Sequence, residues 1–262
     1  MSEFVIKDSA DNPIVDWRQW TRPKRDYHWR AGRSAMELAR AWFVSPVPRC
    51  PQEVQELLAS HESTSTLTLL KAVPEHVTSL PERGEGRNHD LLILARGETG
   101  NVLLSVEAKV DEAFGETTIG PYWSSAKQST SPTKVPQRIE ALLSMCFGSD
   151  AKPDSSPWKE LRYQLLTAVA GAAIEATRHK ADIAVVIVHE FRTENLNIEN
   201  LAANSEALKA FIDQFVPGSP GEITPGRLYG PVTLPAGEHL KQDVKILIGK
   251  AVYDWRLTPS RT

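Results

Sequence analysis

Two acids and a lysine lie at the ends of two strongly apolar runs. Asp90 comes directly before the run 91–95, and Glu107 and Lys109 come at the end of the run that starts at Val102. Carboxylate oxygens are the ligands that Mg²⁺ and other hard divalent cations prefer. If the chain brings Asp90 and Glu107 together, these residues predict a divalent-cation site with a lysine beside it.

The tetrad Gly97–Gly100 separates the two runs and predicts a β-hairpin. A hairpin that is symmetric about this loop places Asp90 opposite Glu107. The strand period of two puts Glu107 and Lys109 on one face. Opposed residues have Cβ atoms roughly 5 Å apart, and like charges placed so are destabilising. Lys109 offsets part of this repulsion, and a divalent metal held by both carboxylates offsets more. A bulge or one-residue slip would remove this arrangement, because it turns a strand over.

The same residues resemble a known motif. Asp90 is followed by sixteen intervening residues and then by Glu107-Ala108-Lys109. This pattern resembles the PD-(D/E)xK nuclease superfamily, whose members have the restriction-endonuclease-like fold, with His89 in the place of the usual Pro. The wider chain, from its Trp- and Arg-rich start to the LRYQLL segment, looks like bacterial members of the superfamily that lack an assigned substrate.

The resemblance implies a function and roles for these residues. Asp90 and Glu107 would bind catalytic Mg²⁺ or Mn²⁺, with the carbonyl of Ala108 as a further ligand, and Lys109 would assist the attacking water. The expected activity is hydrolysis of phosphodiester bonds in nucleic acid, with DNA expected before RNA. A salt-bridge network at the strand ends is the alternative interpretation of the same residues.

Two further residues are candidates because the superfamily often uses their counterparts. Glu37 lies on the first predicted helix, where members often carry an acid near the metal. Ser34 and Glu37 also have capping-box spacing, which explains Glu37 without any metal. Gln164 lies beside the apolar stripe of a later helix, where members often supply a Gln to the active site. Ala168 stands where some members have a Tyr, so this second match is partial.

The segment 17–33 is rich in basic and aromatic residues. Arginine and lysine neutralise phosphates, and aromatic rings stack on bases, so the segment is a candidate nucleic-acid interface. Alternatively, the tryptophans pin an irregular arm onto the core while the charges stay solvated. The basic residues assigned to nucleic-acid binding are Arg22, Lys24, Arg25, Arg30 and Arg33.

Composition sets broad limits. The 262 residues carry 30 basic and 33 acidic side chains, so the formal charge of −3 argues against a polycation of the histone type. Cys50 and Cys146 are too few for a zinc site or a disulfide framework. The N-terminus lacks a signal-peptide pattern, and no apolar run approaches the roughly 18 residues of a membrane span. We therefore expect a soluble cytoplasmic protein, with a homodimer left open.

Hydrophobic periodicity predicts alternating helices and strands. The polar stretch 111–136 is expected to be a loop. The predicted helices are 34–43, 51–59, 137–147, 158–178 and one within 198–215. The strands beside the hairpin are 67–73, 182–191, 227–234 and 244–253.

This order predicts an α/β fold with a restriction-endonuclease-like αβββαβ core, a mixed central sheet flanked by helices, and a C-terminal helix and strands added to it. The buried crossover before 182–191 favours a parallel strand pair. We expect one domain over 1–262, with a basic and aromatic arm (1–33), a nuclease-like core (34–191) and a C-terminal elaboration (192–262).

Three functions fit the sequence. The first is the metal-dependent nuclease. The second is a nuclease-fold binding or regulatory module without catalysis, and the third is a structural protein in which the triad is an ion network. Dependence on a metal separates the first from the other two.

Overall fold

A computed structural model describes residues 4–24, 26–43, 47–194, 196–219 and 221–256. The strands are β1 (Val5–Lys7), β2 (Pro13–Ile14), β3 (Thr68–Thr78), β4 (Arg87–Arg96), β5 (Asn101–Lys109), β6 (Ala181–Arg192), β7 (Leu228–Leu234) and β8 (Val244–Asp254). The helices are α1 (Ser34–Trp42), α2 (Gln52–Ala59), α3 (Ile119–Gln128), α4 (Val135–Phe147), α5 (Tyr163–Arg178) and α6 (Ile198–Phe215).

The described strands form one mixed sheet in the order β2-β1-β3-β4-β5-β6-β8-β7. Antiparallel pairing joins β3, β4 and β5, and parallel pairing joins β5, β6 and β8. Parallel neighbours need a crossover, and α5 supplies it between β5 and β6. The predicted α/β class with a mixed sheet flanked by helices is confirmed.

The hairpin register is confirmed over its apolar part. Paired residues run from Arg96 and Asn101 at the loop to Leu91 and Val106, as symmetry about the tetrad predicts. The predicted strand beginning at Leu67 pairs with β4 and extends to Thr78. The short strands β1 and β2 were not predicted.

Each face of the sheet carries its own apolar core. Side chains from α4, α5 and α6 pack on one face, and those from α1 and α2 pack on the other. Helix α5 is buried almost all round, as its apolar sequence predicts. Gly171 lets it approach the sheet, since a Cβ there would lie 2.9 Å from Arg87 Cγ. We refer to this side of the sheet as the α5 face.

Three predictions of local structure are wrong. The stretch expected to be a polar loop contains α3, whose exposed side chains hide its helical period. The helix expected from Trp158 begins at Tyr163, after a short 3-10 turn. The capping box at Ser34 is not formed, because Arg33 is the N-cap residue of α1 and Ser34 donates to Glu112.

Among the described residues, no helix is both long enough and apolar enough to cross a membrane.

Candidate functional site

Along β4, the alternation of side chains between the two faces of the sheet shifts by one residue close to Asp90. Arg87 and His89 lie against Gly171 of α5, and Leu92 packs in the core on the same face. Leu91 packs on the opposite face. In a regular strand, residues 89 and 92 would point to opposite sides, so the alternation of side chains is irregular between them.

At this irregularity Asp90 leaves the ladder with β5. Instead of continuing the pairing beyond Leu91 and Val106, Asp90 Oδ2 accepts a hydrogen bond of 2.7 Å from the Ala108 N–H. The direct opposition of Asp90 and Glu107 that symmetry predicts is therefore wrong in detail. The Asp90 carboxylate is nevertheless bonded to the backbone of Ala108, the residue between Glu107 and Lys109.

Glu107 is the centre of a buried polar cluster on the α5 face. Lys109 Nζ lies 2.8 Å from Glu107 Oε1, and Gln164 Nε2 donates to the same oxygen at 2.8 Å. Lys109 also donates to Gln164 Oε1 at 3.3 Å, and Arg87 binds the other carboxylate oxygen, Oε2. We call Arg87, Asp90, Glu107, Lys109 and Gln164 the site cluster.

The two carboxyls of the site cluster have opposite electrostatic surroundings. Burial disfavours ionisation of Glu107, but Arg87 and Lys109 outweigh it and lower the pKa of Glu107 to about 2. Burial raises the pKa of Asp90 well above its ordinary value, and the negative charges of Glu107 and Glu75 raise it further. Asp90 is thus the acid whose charge its neighbours do not balance. A strongly shifted pKa of this kind is typical of functional sites.

Two helices, α1 and α6, hold the segment 111–114 that follows β5. The N-terminus of α1 faces this segment, where Ser34 N donates to Glu112 Oε1 at 3.3 Å and Arg33 lies 3.3 Å from Asp111. From α6, Asn204 donates to the Glu112 carbonyl at 2.8 Å and accepts from Phe114 N at 3.1 Å. These contacts hold the end of β5, and with it Lys109, in place.

A family model described as Domain of unknown function (DUF6946) matches residues 12–252. The chain belongs to this family. The matched range contains the whole site cluster and the strands that carry it. No curated protein and no solved structure matches the chain.

Within the DUF6946 domain, the predicted site residues fall into two groups. Asp90, Glu107, Ala108, Lys109 and Gln164 come together, as described above. Glu37 accepts from Gly32 N at 2.9 Å and from Arg40 at 3.3 Å, and none of its contacts among the described residues is to the site cluster. Its local bonds account for its position on α1.

The basic residues of the arm are mostly exposed. Arg22 lies over the Trp29 ring at 5.9 Å, and Lys24 lies 3.6 Å from Glu85. Arg30 is exposed, and Arg25 lies outside the described residues. Arg33 differs, because it pairs with Asp111 beside the end of β5. The packing of Trp17 and Trp20 on the core agrees with the pinned-arm alternative.

Sequence reasoning missed two charged residues near the site. Arg87 stands in a stretch whose composition is typical of a charged loop, and its burial follows from the close approach of α5 at Gly171. Glu75 lies on β3, where the pairs Pro74–Leu91 and His76–His89 place it level with Asp90. The register between β3 and β4 was needed to find it, and the only sequence signal is an acid within an apolar strand.

Proposed function

We propose that this DUF6946 domain is a metal-dependent nuclease that hydrolyses phosphodiester bonds in nucleic acid, with DNA preferred over RNA. The convergence of Asp90, Glu107, Lys109 and Gln164 carries the proposal. These residue types are the ones that the resemblance to the PD-(D/E)xK superfamily assigns to the metal and to the attacking water. The order α1, β3, β4, β5, α5, β6 supports a restriction-endonuclease-like core.

The donor atoms suit Mg²⁺ or Mn²⁺. Asp90 and Glu107 would hold the ion through carboxylate oxygens, and Ala108 through its carbonyl. The described residues contain no group of three or more His, Cys, Asp or Glu side chains that could hold a metal. A site with two carboxylates is the kind in which Mg²⁺ keeps several waters and binds substrate phosphate. The unbalanced charge of Asp90 is what a cation there would neutralise.

Each residue of the site then has a task. A bound divalent ion supplies charge neutralisation at the phosphate and makes water more acidic. Lys109 has three N–H donors, and its described polar contacts are with Glu107 and Gln164, so one donor is available to orient a water. Gln164 fixes both of these side chains at once, with one hydrogen bond to each.

Cleavage assays on DNA and RNA test the proposal. Wild type should cut in Mg²⁺ and not in EDTA, with DNA cut faster, and Asp90→Asn should not cut. Asp150→Asn is a matched control, because Asp150 is an exposed acid on the turn after α4. Calorimetry should detect Mn²⁺ binding to wild type and Asp150→Asn but not to Asp90→Asn. Folded wild type that binds no Mn²⁺, even with nucleic acid present, contradicts the proposal.

One observation favours the alternative of a binding or regulatory module without catalysis. Arg87 and Lys109 together already balance the Glu107 carboxylate, in the way that a metal would. A module of this kind should bind nucleic acid equally well in EDTA and Mg²⁺, and Asp90→Asn should leave its affinity unchanged.

A further inference from the structure

A cavity of about 490 Å³ opens on the α5 face, away from Lys109 and Gln164. Its walls come from the turn between β1 and β2, from β3, and from the C-terminal end of α5 at His179. Its floor is made of leucines from β4 and β5, namely Leu92, Leu94 and Leu103. The volume and apolar floor are typical of sites for small organic ligands.

Most charges on the wall of this cavity are already compensated. Asp11 lies 2.7 Å from Lys7 and 2.6 Å from Lys71. Asp8 accepts from the backbone N–H groups of Ala10 and Asn12 at 2.9 and 2.8 Å. The charges of the β1–β2 turn therefore leave little to attract a ligand.

The two histidines of the wall face an acid that does not line the cavity. His76 Nε2 lies 3.3 Å from Glu175 Oε1, and His179 Nε2 lies 3.7 Å from Glu175 Oε2. Arg178 also binds Glu175, which is itself buried. The charge of Glu175 is therefore already compensated by these neighbouring side chains.

Glu75 is different. It is half-buried, lines the cavity, and has one described polar partner, the amide of Asn88. Its backbone φ of 53° is in the left-handed region, which non-glycine residues rarely adopt. Burial raises the pKa of Glu75, and the negative charge of Glu107 adds to this rise, while the Asn88 amide and the more distant Arg87 offset only part of it. A ligand that supplies a positive charge would remove this cost.

We infer that the cavity binds a small organic cation, with an ammonium group against Glu75 and an apolar body on the leucine floor. The cavity site does not depend on the proposed nuclease activity, because none of its binding groups belongs to the site cluster.

Three probes that share one apolar body test the inference by calorimetry: 2-phenylethylamine, 2-phenylethanol and 3-phenylpropionate. Methylammonium serves as a probe of charge alone. The ammonium compound should bind at least tenfold more tightly than the alcohol, the carboxylate and methylammonium. Glu75→Gln should abolish the preference over the alcohol, and Glu85→Gln, which changes an exposed acid, should keep it.

Asp90→Asn separates this inference from the proposed function. The variant should still bind 2-phenylethylamine, even though it should neither bind Mn²⁺ nor cut nucleic acid. The inference is overturned if no probe binds to folded wild type. Carboxylate binding as tight as amine binding, or an unchanged amine preference in Glu75→Gln, overturns it as well.

Discussion

Two buried ionic clusters lie next to each other on the α5 face, at the carboxyl ends of parallel strands. Lys109 of the site cluster is the register partner of Glu190 on β6. Glu190 belongs to a second group, the β6–β8 cluster, made of Glu190, Arg192, Ser205 and Lys250. Lys250 lies 3.3 Å from Glu190 and donates to Ser205 Oγ at 3.1 Å, and Arg192 donates to Glu190 at 2.9 Å.

The clusters differ in charge balance. In the β6–β8 cluster two cations bind the Glu190 carboxylate, and one of them, Arg192, also lies 3.9 Å from Asp254. In the site cluster two cations bind Glu107, while Asp90 has a backbone N–H donor and a raised pKa. Burial of charge is therefore common to both clusters. The raised pKa of one acid, Asp90, distinguishes the candidate site from the β6–β8 cluster.

The largest expected effect separates two lysines that are almost equally buried. If the proposed function is right, Lys109→Ala should lower metal-dependent cleavage by a factor on the order of a hundred or more, the scale for losing a positioned acid–base group. Lys250→Ala also removes a buried ion pair, but Lys250 has no role in the proposed reaction. Cleavage by this variant should therefore stay near wild type after correction for the folded fraction. Initial rates on DNA in Mg²⁺ provide the comparison.

Arginine at the same position distinguishes chemistry from charge balance. Lys109→Arg should fail nearly as badly as Lys109→Ala, since a guanidinium is planar, bulkier and cannot release a proton in this pH range. Metal binding should persist in both variants. Near-wild-type cleavage by Lys109→Ala would remove Lys109 from the mechanism.

Replacing an acid by its amide should change the free energy of unfolding in opposite directions in the two clusters. Glu190→Gln leaves Lys250 without its carboxylate and leaves Arg192 with only Asp254, 3.9 Å away. Breaking a buried pair costs about 3 kcal/mol. Asp90→Asn removes a charge that burial and the neighbouring acids disfavour, so in EDTA it should raise the free energy of unfolding. Urea unfolding at pH 8 measures both. Destabilisation by Asp90→Asn would show that the charge is balanced.

The pH dependence of unfolding should separate Asp90 from Glu107. Because the folded state raises the pKa of Asp90, its contribution to stability is present at low pH and is lost as pH rises above 3.8. The folded state lowers the pKa of Glu107, so its contribution to stability changes in the opposite direction. That contribution is lost as pH falls from 4.5 towards about 2. In EDTA, Asp90→Asn should remove the first change and keep the second.

The smallest expected effect lies outside both clusters, in the arm. Replacing Arg22 and Arg30 by Ala should weaken nucleic-acid binding, and the slope of its salt dependence should fall by about one unit for each phosphate that is no longer neutralised. Neither change should alter Mn²⁺ binding. Titrations at several salt concentrations provide the slope, and an unchanged slope would assign these arginines to the solvated surface.

Periodicity predicted much of the sheet and part of the site. Alternation alone placed Glu107 and Lys109 on one face, and loop symmetry predicted the register of the hairpin. The irregularity at Asp90 was beyond such reasoning, because it depends on how β4 fits against both β3 and α5. Arg87 was missed for the same reason, since the glycine that buries it lies far along the chain at position 171.

The strand order β5-β6-β8 affects how the chain assembles during synthesis. One edge of β6 pairs with β8 over residues 183–192, and β7 pairs with β8 rather than with β6. At ribosomal rates, the residues between β6 and β8 take on the order of several seconds to appear. Throughout that time β6, an apolar strand, has an open edge that can pair with other chains. Removal of 244–254 would make that exposure permanent and would produce aggregation.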